Sequence, residues 1–251
     1  MKKLALVAAA ILALSATAAN AQAIRIGTEG AYEPWNFVDA DGKLAGLDID
    51  VLNELCKRAS LECTFVQTAW DTIIPNLNAG NYDVIAAGMS ITDERKEAVN
   101  FTADYSPPEE SGWMMLAGTN FDASNIKGLK IGTQTGTIQA GYVEENLKDG
   151  NTLSTFATAP DALADLMAGN IDVILADSSY IDETVAASGG ALKTDENAIP
   201  IGGGVGAAVR KADTELLGKL DTALAAAKED GTIDGLITKW FPERQGPFYK
   251  K

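Results

Sequence analysis

Two periodicities take turns along this chain. Residues 24–28 are apolar enough to read as a strand, and residues 47–59 repeat apolar side chains at helical spacing, with Leu47, Val51, Leu55 and Ala59 on one face. A strand at 61–67 follows, then a short helix at 70–78 stopped by Ala79-Gly80, then a strand at 82–87 and a helix-like run at 94–99. This β-α-β-α-β order predicts a mostly parallel sheet with helices on both faces. The texture changes after Phe101. The run Pro107-Pro108-Glu109-Glu110-Ser111-Gly112 is expected to be irregular throughout, because proline and glycine break both kinds of ladder. The alternation then restarts, with strands at 129–132, 152–156 and 171–176 and helices at 137–147, 160–168 and 178–187. After Gly202-Gly203-Gly204-Val205-Gly206 come a strand reaching Arg210 and helices at 213–229 and 232–240.

One internal match gives the domain plan. Asn78-Ala79-Gly80-Asn81-Tyr82-Asp83-Val84-Ile85 parallels Met167-Ala168-Gly169-Asn170-Ile171-Asp172-Val173-Ile174: a helix, an A-G-N turn and an x-D-V-I strand. Each half therefore holds a similar α/β unit. The expected fold class is α/β with two lobes, each a mostly parallel sheet flanked by helices. Lobe 1 takes residues 22–108 and 205–251, lobe 2 takes 109–204, and the chain crosses twice between them. A ligand belongs in the cleft, facing the carboxyl ends of strands from both sheets.

Length and composition narrow the class. The chain has 251 residues, 46% of them hydrophobic, enough for two cores. Lys2 and Lys3, an apolar run at 4–14 and Ala19-Asn20-Ala21 form a signal peptide over residues 1–21, with the mature chain expected to start near Gln22, outside the cytoplasm and without a lipid anchor. Losing that leader takes the net charge from −15 to −17. Such an acidic protein is no partner for nucleic acid or anionic lipid. There is no histidine, which removes Ser-His-Asp triads and imidazole chemistry. The only cysteines, Cys56 and Cys63, suggest a disulfide in an exported chain; two thiols alone make a poor metal site. No metal or other cofactor is expected.

The candidate chemistry lies just past strand ends. Ser90-Ile91-Thr92-Asp93-Glu94-Arg95 joins a strand to a helix, so unpaired amides, two hydroxyls and the fork of Arg95 can converge on a carboxylate. Arg95 as a surface partner of Glu97 is the plainer alternative. Gly132-Thr133-Gln134-Thr135-Gly136-Thr137 offers a second helix start, but it is neither a Walker A loop nor G-x-G-x-x-G, so a nucleotide role is not indicated. Asp177 ends an apolar strand, either capping the helix at Ser178 or aiming its carboxylate at an ammonium. Glu29, Tyr32, Trp35 and Trp70 complete the set, with plain core packing as the alternative for the rings.

Together these residues resemble the polar amino-acid solute-binding proteins of ABC importers, especially the lysine/arginine/ornithine-, histidine- and opine-binding group. The carriers are Arg25-Ile26-Gly27-Thr28-Glu29, Tyr32-Glu33-Pro34-Trp35-Asn36-Phe37, Gly46-Leu47-Asp48-Ile49-Asp50, Leu55-Cys56-Lys57-Arg58 with Cys63, Trp70-Asp71, Ser90-Ile91-Thr92-Asp93 with Arg95, Gly136-Thr137 and Gly231-Thr232. The resemblance implies that Arg95 grips an α-carboxylate, helped by amides at Ser90 and near Thr137. It implies that Asp177 takes the α-ammonium with the Ser90 hydroxyl and the Gly88 carbonyl. Tyr32 and Trp70 then flank the side chain, Glu29 meets its distal group, and Cys56–Cys63 is the family's disulfide. The chain departs from the basic amino-acid binders at Glu29 (usually Asp), at Ala87-Gly88 (usually Ser-Ser) and at Ile138 (often Thr), which implies a roomier, less polar pocket. The resemblance thus implies a monomeric periplasmic binder of an arginine-like amino acid or arginine-derived opine, working with an inner-membrane permease and not an enzyme. The alternatives are a neutral polar amino-acid binder, a cyclohexadienyl or arogenate dehydratase-like enzyme, and a chemoreceptor module.

Overall fold

The parallel strands of this protein feed two sheets of the same design. The computed structural model describes residues 23–249, so the signal peptide expected at 1–21 lies outside the described residues. The first stretch supplies β1 (Ile24–Thr28), β2 (Ala31–Tyr32), β3 (Asn36–Val38), β4 (Leu44–Ala45), α1 (Leu47–Arg58), β5 (Cys63–Gln67), α2 (Ile73–Asn78), β6 (Val84–Ile85), α3 (Asp93–Ala98) and β7 (Val99–Phe101). The second supplies β8 (Ser111–Leu116), β9 (Lys130–Gln134), α4 (Ile138–Asn146), β10 (Thr152–Phe156), α5 (Ala159–Met167), β11 (Val173–Asp177), α6 (Ser178–Ala187) and β12 (Leu192–Thr194). The chain returns with β13 (Ala208–Arg210), α7 (Thr214–Glu229) and α8 (Thr232–Trp240). The sheet orders are β5-β1-β6-β13-β7 and β10-β9-β11-β8-β12, with a small β2-β3-β4 meander beside the first. In each sheet four strands run the same way, and the one reversed strand, β13 or β8, is the one entered straight from a crossing. The expected two-lobe α/β class is what forms.

Alternation explains the layers. In β11, Val173 and Leu175 pack to one side of the sheet while Ile174 and Ala176 pack to the other, and both sides are buried. This is the continuous apolar run of a strand covered on both faces. Helix α1 buries Leu47, Val51, Leu52 and Leu55 against the first sheet, with α7 and α8 alongside. Asp48 and Asp50 in its first turn and Lys57 and Arg58 in its last suit the helix dipole. The Cys56–Cys63 disulfide ties α1 to β5.

The internal match has a structural cause. Gly80 (φ 81°) and Gly169 (φ 74°) end their helices in the left-handed region. Asp83 then accepts the N–H of Arg25 at 3.0 Å, and Asp172 accepts the N–H of Lys130 at 2.7 Å. Each aspartate thus pins the first residues of the neighbouring parallel strand.

Two expectations need correction. Ser111 and Gly112 are not irregular: they open β8, because Ser111 pairs with Ile199 and Asp177 and Gly112 with Ala176, so ladder partners outweigh glycine's weak preference. The predicted 70–78 helix is a 3-10 turn over Trp70–Thr72 followed by α2. The short strands β2, β3, β4, β7 and β12 went unpredicted, since two or three residues carry no readable period.

Candidate functional site

Four parallel strands end at one place. Past β1 stands Glu29; past β6 come Gly88 and Ser90; β9 ends at Gln134 and leads to Thr137; β11 ends at Asp177. Together with Tyr32, Trp70, Ala87, Arg95, Ile138 and Gln139 they line one cavity between the two sheets. All eight ligand-site candidates from the sequence, Glu29, Tyr32, Trp70, Gly88, Ser90, Arg95, Thr137 and Asp177, therefore share it.

The Ser90–Arg95 turn is fixed from two sides. Thr92 caps α3 by accepting the Arg95 N–H at 3.1 Å. Ser90 bridges Val205, and the Ile91 N–H donates to the Gly204 carbonyl at 2.8 Å. This approach requires glycine at 203, where a Cβ would lie 2.4 Å from the Ile91 carbonyl oxygen. The Arg95 guanidinium donates to the Ser90 carbonyl (2.9 Å) and to the Gly136 carbonyl (3.3 Å), and lies over the Trp70 ring at 5.2 Å. Two of its five N–H donors are thereby held, leaving three for a guest. Among the described residues it makes no ion pair, so the surface bridge to Glu97 does not form. Burial pushes its pKa down to about 10, against the pull of Asp177 and Glu94.

Asp177 stands at the N-cap of α6, yet its side chain makes no capping bond. It accepts instead from the Tyr32 hydroxyl (2.9 Å) and from Gln139 Nε2 (2.8 Å). Burial raises its pKa to about 7 and the Glu109 charge adds to this, while the bonds from Tyr32 and Gln139 and the Arg95 charge oppose it. Glu29 is 8% exposed and accepts from Gln134 Nε2 at 2.6 Å. Burial raises it to about 7 as well, against the Gln134 bond and with a push from Asp71. Neither carboxyl pairs with a protein cation among the described residues.

The rings divide their duties. Trp70 backs Arg95, whereas Tyr32 stacks on Tyr180 at 4.6 Å, which covers one of its faces. Trp35 is core, as the plainer reading had it, but its Nε1 also reaches Ser179 Oγ at 3.0 Å. Thr137 caps α4 and bonds the Gln134 carbonyl, so it brings a helix start with free first-turn amides to the cavity while its hydroxyl is engaged locally. Gly88 (φ 59°) donates its N–H to the buried Asp48 carboxylate at 2.7 Å; a Cβ there would meet the Trp35 ring at 3.3 Å. Burial raises Asp48 to about 7, opposed by bonds from Tyr105, Asn36 and Gly88.

Sequence reasoning missed Gln134 and Gln139 as site residues. A signal for Gln134 was present. Arg25-Ile26-Gly27-Thr28-Glu29 and Lys130-Ile131-Gly132-Thr133-Gln134 are equivalent stretches, β1 and β9 with the residue each aims at the cleft. Their last side chains meet across it. Gln139 gave no such signal.

Comparison with known proteins gives a consistent picture. Residues 24–243 match the bacterial extracellular solute-binding proteins, family 3. The ABC transporter arginine-binding protein 1 of Escherichia coli (strain K12) is 34% identical over 247 residues, 97% of this chain and 100% of that protein. The histidine-binding periplasmic protein of Salmonella typhimurium is 35% identical over 256 residues, covering 96% and 97%. A periplasmic His/Glu/Gln/Arg/opine family-binding protein from Silicibacter pomeroyi, solved in complex with lysine, superposes with a TM-score of 0.83 at 45% identity, covering 90% of this chain and 100% of that one.

Proposed function

The chain belongs to the bacterial extracellular solute-binding proteins of family 3, and from that premise we propose that it captures a basic amino acid in the periplasm for an ABC importer. One observation carries the choice of ligand. Among the described residues the cavity holds one fixed cation, Arg95, and two buried carboxyls that form no ion pair, Asp177 and Glu29. That set complements a zwitterion bearing one further positive charge: a carboxylate for Arg95, an α-ammonium for Asp177, and a guanidinium or ammonium for Glu29. A neutral guest leaves Glu29 without a counter-charge.

The site residues take these roles. The carboxylate docks on Arg95 and the first-turn amides of α3 and α4. Asp177, the Ser90 hydroxyl and the Gly88 carbonyl receive the ammonium, and Trp70 and Tyr32 border the side chain. The lobes are residues 22–108 with 205–251, and 109–204; every strand of the first sheet falls in the former set and every strand of the second in the latter. The ligand favours closure to the extent that it binds both lobes, and the closed monomer presents itself to the membrane permease. The route to the periplasm is cleavage of the 1–21 leader.

A carboxyl titrating near neutrality is also what a dehydratase requires of its acid, which makes Glu29 and Asp177 the groups to watch in a turnover assay. The named relatives bind rather than transform, and no covalent step is assigned here. The deciding experiment is calorimetry with arginine, lysine, histidine and glutamine, beside a turnover assay with prephenate and arogenate. Preference for the cationic ligands with no turnover supports the proposal. Equal affinity for glutamine, or turnover, overturns it.

A further inference from the structure

One buried ion pair lies outside the cavity yet is wired to it. Glu109 comes from the Pro-Pro-Glu-Glu crossing, and Arg244 from the segment after α8. Arg244 Nη2 and Glu109 Oε2 stand 2.5 Å apart, with side chains only 18% and 8% exposed. Arg244 Nη1 also donates to Ser106 Oγ at 3.2 Å, on the same crossing. The guanidinium is bracketed by aromatic rings, 4.0 Å from the Phe241 centroid and 5.8 Å from that of Trp35. The C-terminal segment thus grips the crossing with a charge, a hydrogen bond and a stack.

The grip continues into the second lobe. The other Glu109 oxygen accepts the backbone N–H of Ser179, the second residue of α6. The Ser178 N–H donates to the Glu110 carbonyl at 3.0 Å. Ser179 Oγ takes the bond from Trp35 across the cleft. Helix α6 begins directly after Asp177, so everything that fixes its first turn also fixes the carboxylate aimed at the ligand's ammonium. Asp182 on α6 and Glu243 beside Arg244 are the other charges facing this corner.

We propose that Glu109 and Arg244 form a latch at the hinge, a pair of positioning residues that hold the start of α6, and with it Asp177, in the closed arrangement. The latch sets how long a ligand stays bound without touching the ligand. Glu109 places a negative group beside the second negative group, Asp177, at a buried site. Among the described residues Arg244 is the cation paired with Glu109, and a buried carboxylate stripped of its partner is strongly destabilising. Opening at this corner breaks the Arg244–Glu109 pair and the Trp35–Ser179 bond together, so losing the pair should mainly speed dissociation.

This inference rests on the reading of the cavity as a basic amino-acid site, and the test keeps the two apart. Arginine binding is measured by calorimetry and stopped-flow for the intact protein, R244M, E109Q, R244K and the E109Q/R244M double variant, with the melting temperature of each ligand-free protein alongside. R244M is expected to weaken binding about tenfold or more, chiefly through a faster off-rate, and E109Q about fivefold. The double variant should lose far less than the product of the two, the mark of coupled groups. R244K, which keeps the charge, should recover most of the affinity. If R244M does not fold, E109Q and R244K carry the same comparison. A merely structural pair would lower the melting temperatures and leave affinity within about twofold; that result, or additive single effects, overturns the latch. Failure of the intact protein to bind arginine, lysine or histidine overturns the ligand reading and the latch with it.

Discussion

The strands ending in Glu29 and Gln134 are near copies, yet they deliver different chemistry. Both follow an I-G-T core, both leave the carboxyl end of a parallel strand, and their side chains meet at 2.6 Å. One brings a carboxyl that burial drives toward neutrality; the other brings an amide that supports the charged form of its counterpart. Gln134 Nε2 is itself anchored by the Ala157 carbonyl at 3.0 Å. At the other end of the cavity Asp177 is treated in the same way by Gln139, which Ser111 Oγ holds at 3.0 Å. The lesson is a division of labour. The charge that chooses the ligand and the neutral donor that keeps that charge usable come from different parts of the chain.

The sharpest way to break the comparison is to remove the cation that shares the cavity with both carboxyls. Arg95→Ala leaves the ligand carboxylate buried without its partner, and calorimetry should record a loss of about 3–5 kcal/mol for every amino acid. Unchanged affinity would remove the clamp from the site. Glu29→Gln makes the two equivalent strands end in the same kind of group. Arginine and lysine should lose about 2–3 kcal/mol while glutamine changes little; equal losses would mean that Glu29 does not read ligand charge.

Acidity separates binding from folding. Glu29 and Asp177 titrate near 7 in the folded protein, above the usual carboxylate values of about 4 in an unfolded chain. The folded state therefore holds protons that the unfolded chain releases. The stability these groups contribute is complete below about pH 4 and is lost as pH rises through about 7. A cationic ligand needs both groups charged, so its affinity should run the other way, rising up to about pH 7 and then levelling. Ligand-free and ligand-bound melting curves across that range should diverge as pH rises; parallel curves would contradict the coupling. The smallest effect belongs to Gln134→Leu. Glu29 loses its donor, its pKa should climb further, and the acid-side fall in arginine affinity should move to higher pH with a loss of about 1 kcal/mol at neutral pH.

Much of this was legible beforehand, for identifiable reasons. Helices such as α1 bury an apolar side and, the buried Asp48 apart, keep charges on the other, so their period survives in the sequence. Asp177 ends a strand and Arg95 lies in the first turn of the helix after one, and those positions mark them as candidates. The meander β2-β3-β4 is too short to have a period. The Tyr32–Tyr180 stack and the Gln139–Asp177 bond join residues 148 and 38 positions apart, and nothing local announces either. The Glu29–Gln134 meeting was half-visible, because repeated strands announce equivalent ends but not that the ends touch.

The two crossings do not run separately between the lobes. Ser106 exchanges backbone bonds with Val205 (2.9 and 3.4 Å), and Ser111 does so with Ile199 (2.7 and 2.9 Å). They make a paired ribbon, and a ribbon bends readily across its width but resists shear and twist. Relative motion of the two sheets is therefore expected to follow one arc, like a door on a long strip of metal. On that expectation, closure around a guest in the cavity is described by a single angle.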